Sequence, residues 1–415
     1  MRYQGSNFFE ENAKKSGIQT YEVNFLYVEL ATIGLGLFYK NLIKAKPENM
    51  FSKKYVHIIV FIFAMSYLCY AHWYFQNLDY WNITIDITSQ LMITTQKLTL
   101  LAFSYYDSQK PIESLTHDQK LYLIDKLPNF LEFLSYIFNF QGIIIGPSCN
   151  YRDYINFING NSFIKSKENF NNSDRKEPPV RWVVIKKIIC VSILGYLSLK
   201  LSSFFSIKQN ITDEMLQKPI WFRAFYMYMS ILTRRLNYYF AWILADIGNN
   251  SSGFGFNGYE NDGSAKWDLV SNVNFFALEK STSVKSFIDN WNIQTRLWLR
   301  RIAYERLPFA KTIGVFVLSP LWHGFYGGYY LTFFSIALFV FSGRKIRKQI
   351  RPIFLKIKFA AHLYSIISWL VTITCISYST IPFELYDFYL GIKFFNMWFW
   401  CLHLSAILIL LLLRN

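Results

Sequence analysis

The feature that most constrains this chain is a series of apolar runs about as long as a membrane is thick. Stretches 56–75, 359–381 and 394–413 contain no lysine or arginine at all, and a helix of roughly 20 such residues crosses the hydrocarbon core of a bilayer. With 53% hydrophobic and 20% aromatic residues against 17% charged, a soluble globule fits poorly and a polytopic membrane protein fits well. Hydropathy places candidate spans at 23–39, 56–75, 83–105, 130–145, 183–205, 220–243, 307–321, 324–341, 359–381 and 394–413. The expectation is an all-α transmembrane bundle of about ten to eleven spans. Glu29, Asp86, Gln96, Arg234 and Arg235 fall inside these runs; such residues face a bundle interior or a wet cavity, so an internal protein-lined space is expected.

Three hydrophilic stretches, 107–126, 150–181 and 248–290, separate the spans. None is long enough for a soluble domain of ~100 residues, so residues 1–415 read as a single transmembrane domain. The net charge of +16 does not point to nucleic acid, because the basic residues cluster at the ends of apolar runs, where they meet lipid headgroups. Lys40, Lys44, Lys46, Lys53 and Lys54 form one cluster; Arg344, Lys345, Arg347, Lys348, Arg351, Lys356 and Lys358 form another. Both are expected on the cytosolic side. The opening "MRYQGSNFFEENAKKSG" lacks an apolar core, so no cleavable signal peptide is expected. The five cysteines stand singly with no metal-ligand spacing, so neither a disulfide framework nor a metal site is expected.

In "WNIQTRLWLRRIAYERL", Trp291, Thr295, Trp298 and Ile302 share one helical face and Arg296, Arg300, Glu305 and Arg306 decorate the rest. That pattern predicts an amphipathic helix on a membrane surface. Asn292 sits at its first turn, where an asparagine ordinarily serves as a cap. Of six histidines, His57, His72, His117, His362 and His403 have quiet structural explanations. His323 differs. Gly324, Gly327 and Gly328 follow it, and Trp322, Phe325, Tyr326 and Tyr329 crowd it; glycine at that density lets another chain approach closely. Ser148 and Cys149 have no histidine near in sequence to activate them and read as part of a Gly-Pro turn ending a helix. No histidine is followed five residues later by an aspartate, and the G-x-S-x-G and phosphate-loop patterns are absent. "GFGFNG" follows no predicted strand, which leaves nucleotide binding unsupported.

Six stretches carry a resemblance to a known family: "MITTQKLTLLAFSYYD" at 92–107, "FLEFLSYIFNFQGIIIGPSCNYRDYINFING" at 130–160, "RRLNYYFAWILAD" at 234–246, "SSGFGFNGY" at 251–259, "DNWNIQTRLWLRRIAYERL" at 289–307 and "LSPLWHGFYGGYYLTF" at 318–333. Over almost its whole length the chain resembles the membrane-bound O-acyltransferase family, within it the lysophospholipid acyltransferases. The family's signature asparagine and histidine fall on Asn292 and His323, 31 positions apart. The resemblance implies transfer of a fatty acyl group from acyl-CoA, a co-substrate rather than a cofactor, to the free glycerol hydroxyl of a lysophospholipid. It implies catalytic roles for His323 and Asn292 in a multi-pass protein of the endoplasmic reticulum membrane. Trp322, Gly324, Tyr326 and Tyr329 are then expected to line an apolar substrate tunnel, with Arg296, Arg300 and Arg301 near the anionic CoA.

The wording of "WNIQT", "LWHG" and "GYYLTF" is nearest the branch acting on lysophosphatidylethanolamine and lysophosphatidylserine. Lysophosphatidylcholine or lysophosphatidylinositol remain alternative acceptors, and a lipid transporter or scramblase is the more distant reading. Two departures stand out. Gly327-Gly328 replaces a turn that commonly holds proline, so a looser helix start is expected. The chain ends "LLLLRN" without the usual lysine-rich tail.

Overall fold

The computed structural model describes residues 50–78, 87–124, 126–139, 142, 146–162 and 178–413. The predicted span at 23–39, the basic residues Lys40 to Lys46, Glu29 and Asp86 lie outside them. Two compact units are present, one within Met1–Pro178 plus Phe256–Val270, the other Pro179–Gly255 plus Ser271–Asn415. Both are helical among the described residues, where the only β feature is an isolated bridge between Tyr259 and Ala265.

In the first unit, α1 (Met50–Leu78) packs on α2 (Thr88–Asp107). Lys97 of α2 is fully buried. Its ammonium donates at 3.1 Å to the carbonyls of Tyr136 and Ile137 and also to Asn139 Oδ1. Those carbonyls end α3 (Phe130–Ile137), so the cation caps a helix C-terminus whose last acceptors would otherwise be unpaired. The predicted span over 130–145 is corrected accordingly, since the helix stops at Ile137. Beyond it Gly142 N–H donates to Asn139 O, and a Cβ at Gly142 would lie 2.7 Å from Pro147 O.

Tyr136 Oη donates to Cys149 O at 2.7 Å just before α4 (Tyr151–Ile158). Burial pushes the Cys149 thiol up to about 11, which keeps it protonated and poorly nucleophilic. The Gly146-Pro147 turn leads into α4, and Gly146 N–H donates to Gly142 O at 3.1 Å; the residues just before it, 143–145, where a helix would end, lie outside the described residues. The "GFGFNG" stretch enters a loop closed by Asn257 N–H to Lys266 O and Lys266 N–H to Gly258 O.

In the second unit, α5 (Arg181–Ser202) lies along α6 (Ile220–Ser251). Arg235 of α6 donates to both oxygens of Glu279, at 3.2 and 3.1 Å, and Tyr239 Oη adds a bond at 2.7 Å. Arg234 Nε lies 3.4 Å from Glu384 Oε2, and Lys187 pairs with Asp246 at 2.5 Å. The charges noted in α6 are thus paired within the protein, as a low-dielectric setting requires.

The unit continues through α7 (Ile293–Leu299), α8 (Lys311–His323), α9 (Gly327–Gln349), α10 (Lys358–Leu385), α11 (Phe388–Met397) and α12 (Cys401–Leu412). Its core gathers Met227, Ile231, Tyr239, Leu278, Tyr378, Phe394 and Phe395. Among the described residues three helices are long and apolar enough to span a membrane: Lys54–Asn77 within α1, α5 and α10. The predicted span at 394–413 is a bent pair, α11 and α12, meeting at 77°. Phe399 and Trp400 both adopt positive φ there. Arg223 supports the break: its guanidinium donates to Met397 O and sits 4.7 Å over the Trp398 ring.

Candidate active site

α8 ends on His323 because of its successor. Gly324 has φ 119 and ψ −163, a backbone region essentially reserved for glycine, so the chain turns sharply and leaves the histidine as the last helical residue. Three residues after Gly324, α9 begins in close contact with the end of α10. Gly328 N–H donates to Tyr386 O at 2.7 Å. A Cβ at Gly328 would lie 2.0 Å from Pro382 O, and one at Gly327 would lie 2.5 Å from Phe388 Cβ. The expectation of a loose helix start is corrected: the two glycines permit a tight one.

His323 is half-buried within an aromatic shell. Trp322 packs at 4.8 Å between ring centroids and Tyr329 at 5.7 Å, both foreseen from sequence. Phe333 at 5.3 Å and Phe383, edge-on at 5.2 Å, were not. Phe333 lies in α9, six residues after its start at Gly327. Phe383 follows Pro382, and a proline inside an apolar helix is the one sequence mark that the end of α10 is special. Tyr326 stands 5.3 Å from Tyr386, and Tyr329 packs on Phe383 at 4.4 Å. Gly324 contributes backbone geometry and no wall.

Asn292 precedes α7 in the left-handed region, φ 43 and ψ 55, and its side chain makes no capping bond. The cap comes from elsewhere. Ile293 N–H donates to Asn272 O at 2.8 Å and Gln294 N–H to Asn272 Oδ1 at 3.1 Å, which satisfies two of the orphan donors at this helix start. Next door, Trp291 is wedged against Trp242 at 4.8 Å and Tyr238 at 5.4 Å. Trp298, fully buried, meets Trp322 at 5.7 Å, so the helix bearing Asn292 and the helix bearing His323 share a tryptophan pair.

The predicted surface helix is corrected here too. Thr295, Trp298 and Ile302 are buried in the protein, and α7 gives way to a π-helical turn at Arg300–Tyr304, where Glu305 N–H reaches Arg300 O at 2.9 Å. The extra residue rotates the charged positions. Arg301 is buried; Arg300 stays exposed and pairs with Glu305 at 2.9 Å; Arg296 lies 4.0 Å from Asp289. The three arginines therefore do not form one exposed surface. Among the other histidines, His403 has both ring nitrogens within hydrogen-bond reach, of Ser335 Oγ at 2.8 Å and Tyr378 Oη at 3.0 Å, the arrangement of a satisfied core residue.

Residues 68–383 match the model of the membrane-bound O-acyltransferase (MBOAT) family. Relatives include membrane-bound glycerophospholipid O-acyltransferase 2 of Homo sapiens, 39% identical over 387 residues covering 91% of this chain and 73% of that protein. Lysophospholipid acyltransferase 6 of Drosophila melanogaster is 38% identical over 363 residues, 85% of this chain and 50% of that one. The lysophospholipid acyltransferase of Schizosaccharomyces pombe is 30% identical over 342 residues, 78% and 66% respectively. A match of this extent, carried by both sequence and relatives, means that the chain belongs to the membrane-bound O-acyltransferase family and is an acyltransferase enzyme.

Proposed function

We propose that this enzyme transfers a fatty acyl group from acyl-CoA to the free glycerol hydroxyl of a lysophospholipid. The observation that carries the reading is His323, held at a glycine-enforced helix end among aromatic walls suited to lipid tails, in a chain whose relatives are named glycerophospholipid O-acyltransferase and lysophospholipid acyltransferase. Lysophosphatidylethanolamine and lysophosphatidylserine are the favoured acceptors. The enzyme is read as a multi-pass protein of the endoplasmic reticulum membrane with about ten to eleven spans around an internal tunnel.

The chemistry follows from elementary acidities. A neutral imidazole of pKa ~6.5 takes the hydroxyl proton as the alkoxide oxygen attacks the thioester carbon. CoA leaves as a thiolate whose acid has a pKa of ~8.5, so little protonation is needed for departure, and it recovers the proton from the imidazolium afterwards. No acyl-enzyme is required. A carboxamide N–H aimed at the developing oxyanion in a dry site contributes ~3 kcal/mol, and Asn292, relieved of capping by Asn272, is the proposed donor. Arg296 and Arg300 are the proposed contacts of the anionic CoA.

Purified enzyme given oleoyl-CoA and an equimolar set of lysophospholipids tests the reading. Lysophosphatidylethanolamine or lysophosphatidylserine should be consumed first. Preference for lysophosphatidylcholine would overturn the headgroup assignment, and no esterification of any lysolipid would overturn the function.

A further inference from the structure

The end of α10 holds a strained turn that the proposed chemistry does not explain. Tyr386 has φ 64 and ψ −43, and Asp387 N–H donates to Leu385 O at 2.7 Å, which makes a γ-turn of the disfavoured hand. Such backbone in a non-glycine residue persists only where its surroundings over-determine it. Here they do. Tyr386 N–H donates to Pro382 O at 3.0 Å, and Tyr386 O accepts from Gly328 N–H at 2.7 Å. The side chain of Glu384, 10% exposed, is gripped by Arg234 Nε at 3.4 Å and accepts from Tyr238 Oη at 3.3 Å.

The residues flanking Glu384 are those that touch the site. Phe383 stands edge-on to His323 at 5.2 Å and against Tyr329 at 4.4 Å; Tyr386 meets Tyr326 at 5.3 Å and Tyr329 at 5.9 Å. On the other side, the Tyr238 ring that serves Glu384 lies 5.4 Å from Trp291, the neighbour of Asn292. One carboxylate therefore ties the wall behind His323 to the tryptophan beside Asn292. A largely buried carboxylate whose arginine partner is half exposed returns little net stability, so its placement at this junction points to a role other than stability.

We infer that Glu384 is a positioning residue: clamped by Arg234 and Tyr238, it holds the turn at Tyr386 so that Phe383 and Tyr386 fix the aromatic wall against which the His323 imidazole is oriented. The inference rests on the reading of His323 as the base. Its effect belongs to the chemical step, because the side chain of Glu384 is held by Arg234 and Tyr238 and acts on the imidazole only through Phe383.

The test uses the full chain in lipid nanodiscs, with Tyr238→Phe, Glu384→Gln and their double variant, and His323→Ala as reference. Each single variant should lower kcat by about tenfold or more, with KM for acyl-CoA and lysolipid within about twofold and the thermal midpoint within a few degrees of the parent. The double variant should be no slower than the worse single one, as expected for members of one network. Unchanged kcat in both singles, beside an inactive His323→Ala, would overturn the positioning role and leave the base in place. A fall in kcat that merely tracks a falling thermal midpoint would also overturn it. Activity surviving in His323→Ala would overturn the base assignment first. Tyr238→Phe, which deletes one hydroxyl and keeps the ring on Trp291, decides the matter alone if Glu384→Gln does not fold.

Discussion

Asn272 caps the helix that Asn292 leads, its Oδ1 accepting from Gln294 N–H at 3.1 Å while the Asn292 side chain makes no capping bond. The two asparagines therefore have separable duties. Asn272→Ala should cost about 1 kcal/mol of stability as a lost cap. Asn292→Ala, which puts alanine into left-handed backbone, should also cost about 1 kcal/mol but, unlike Asn272→Ala, remove most acyl transfer from the protein that remains folded. Asn292→Asp should not rescue it, because a carboxylate has no proton to donate to an oxyanion. A fully active Asn292→Asp enzyme would remove the donor role.

Gly328→Ala places a Cβ 2.0 Å from Pro382 O, a backbone atom that cannot yield without moving the α10 terminus. Overpacking of this kind costs about 1–3 kcal/mol or more. The variant should melt earlier and lose activity, whereas Gly343→Ala, with nothing within 4 Å of its Cβ, should do neither. Equal melting of the two would contradict the close approach.

Lys97→Met leaves the carbonyls of Tyr136 and Ile137 without the donor that caps α3. Buried acceptors left unpaired cost about 1–3 kcal/mol each at most. The measurement is thermal unfolding with expression level as a check, and a variant as stable as the parent would contradict the cap.

Single cysteines placed along 351–358, where every residue is exposed, should react with an impermeant maleimide only from the cytosolic side. Lumenal reaction would invert the orientation and the side on which CoA arrives.

The parts of this protein legible in sequence were those set by neighbours. The apolar runs at 183–205 and 359–381 became α5 and α10 with ends shifted by a few residues. His323 stood out because glycines and aromatics crowd it in sequence, and Gly324, its immediate successor, sets its place at the helix end. What escaped was set at a distance. α3 stops at Ile137 because of Lys97, 40 residues earlier. Asn272, 20 residues upstream, takes the cap assigned to Asn292. The break between α11 and α12 falls in "MWFWC", a stretch with neither glycine nor proline, and Arg301 turned inward through a π-turn that no local pattern announces. Phe383 reached the histidine from 60 positions away through a fold that periodicity does not reveal.

His323 is the proposed base of acyl transfer to a lysophospholipid. Parent and His323→Ala enzyme, matched for folded protein by thermal midpoint, are given oleoyl-CoA and lysophosphatidylethanolamine, and free CoA and new diacyl phospholipid are counted together. The parent should form one phospholipid per CoA released, and the variant should lose both products by at least about 10²-fold, the usual scale of a lost general base. Esterification by His323→Ala at a rate near that of the parent would contradict it.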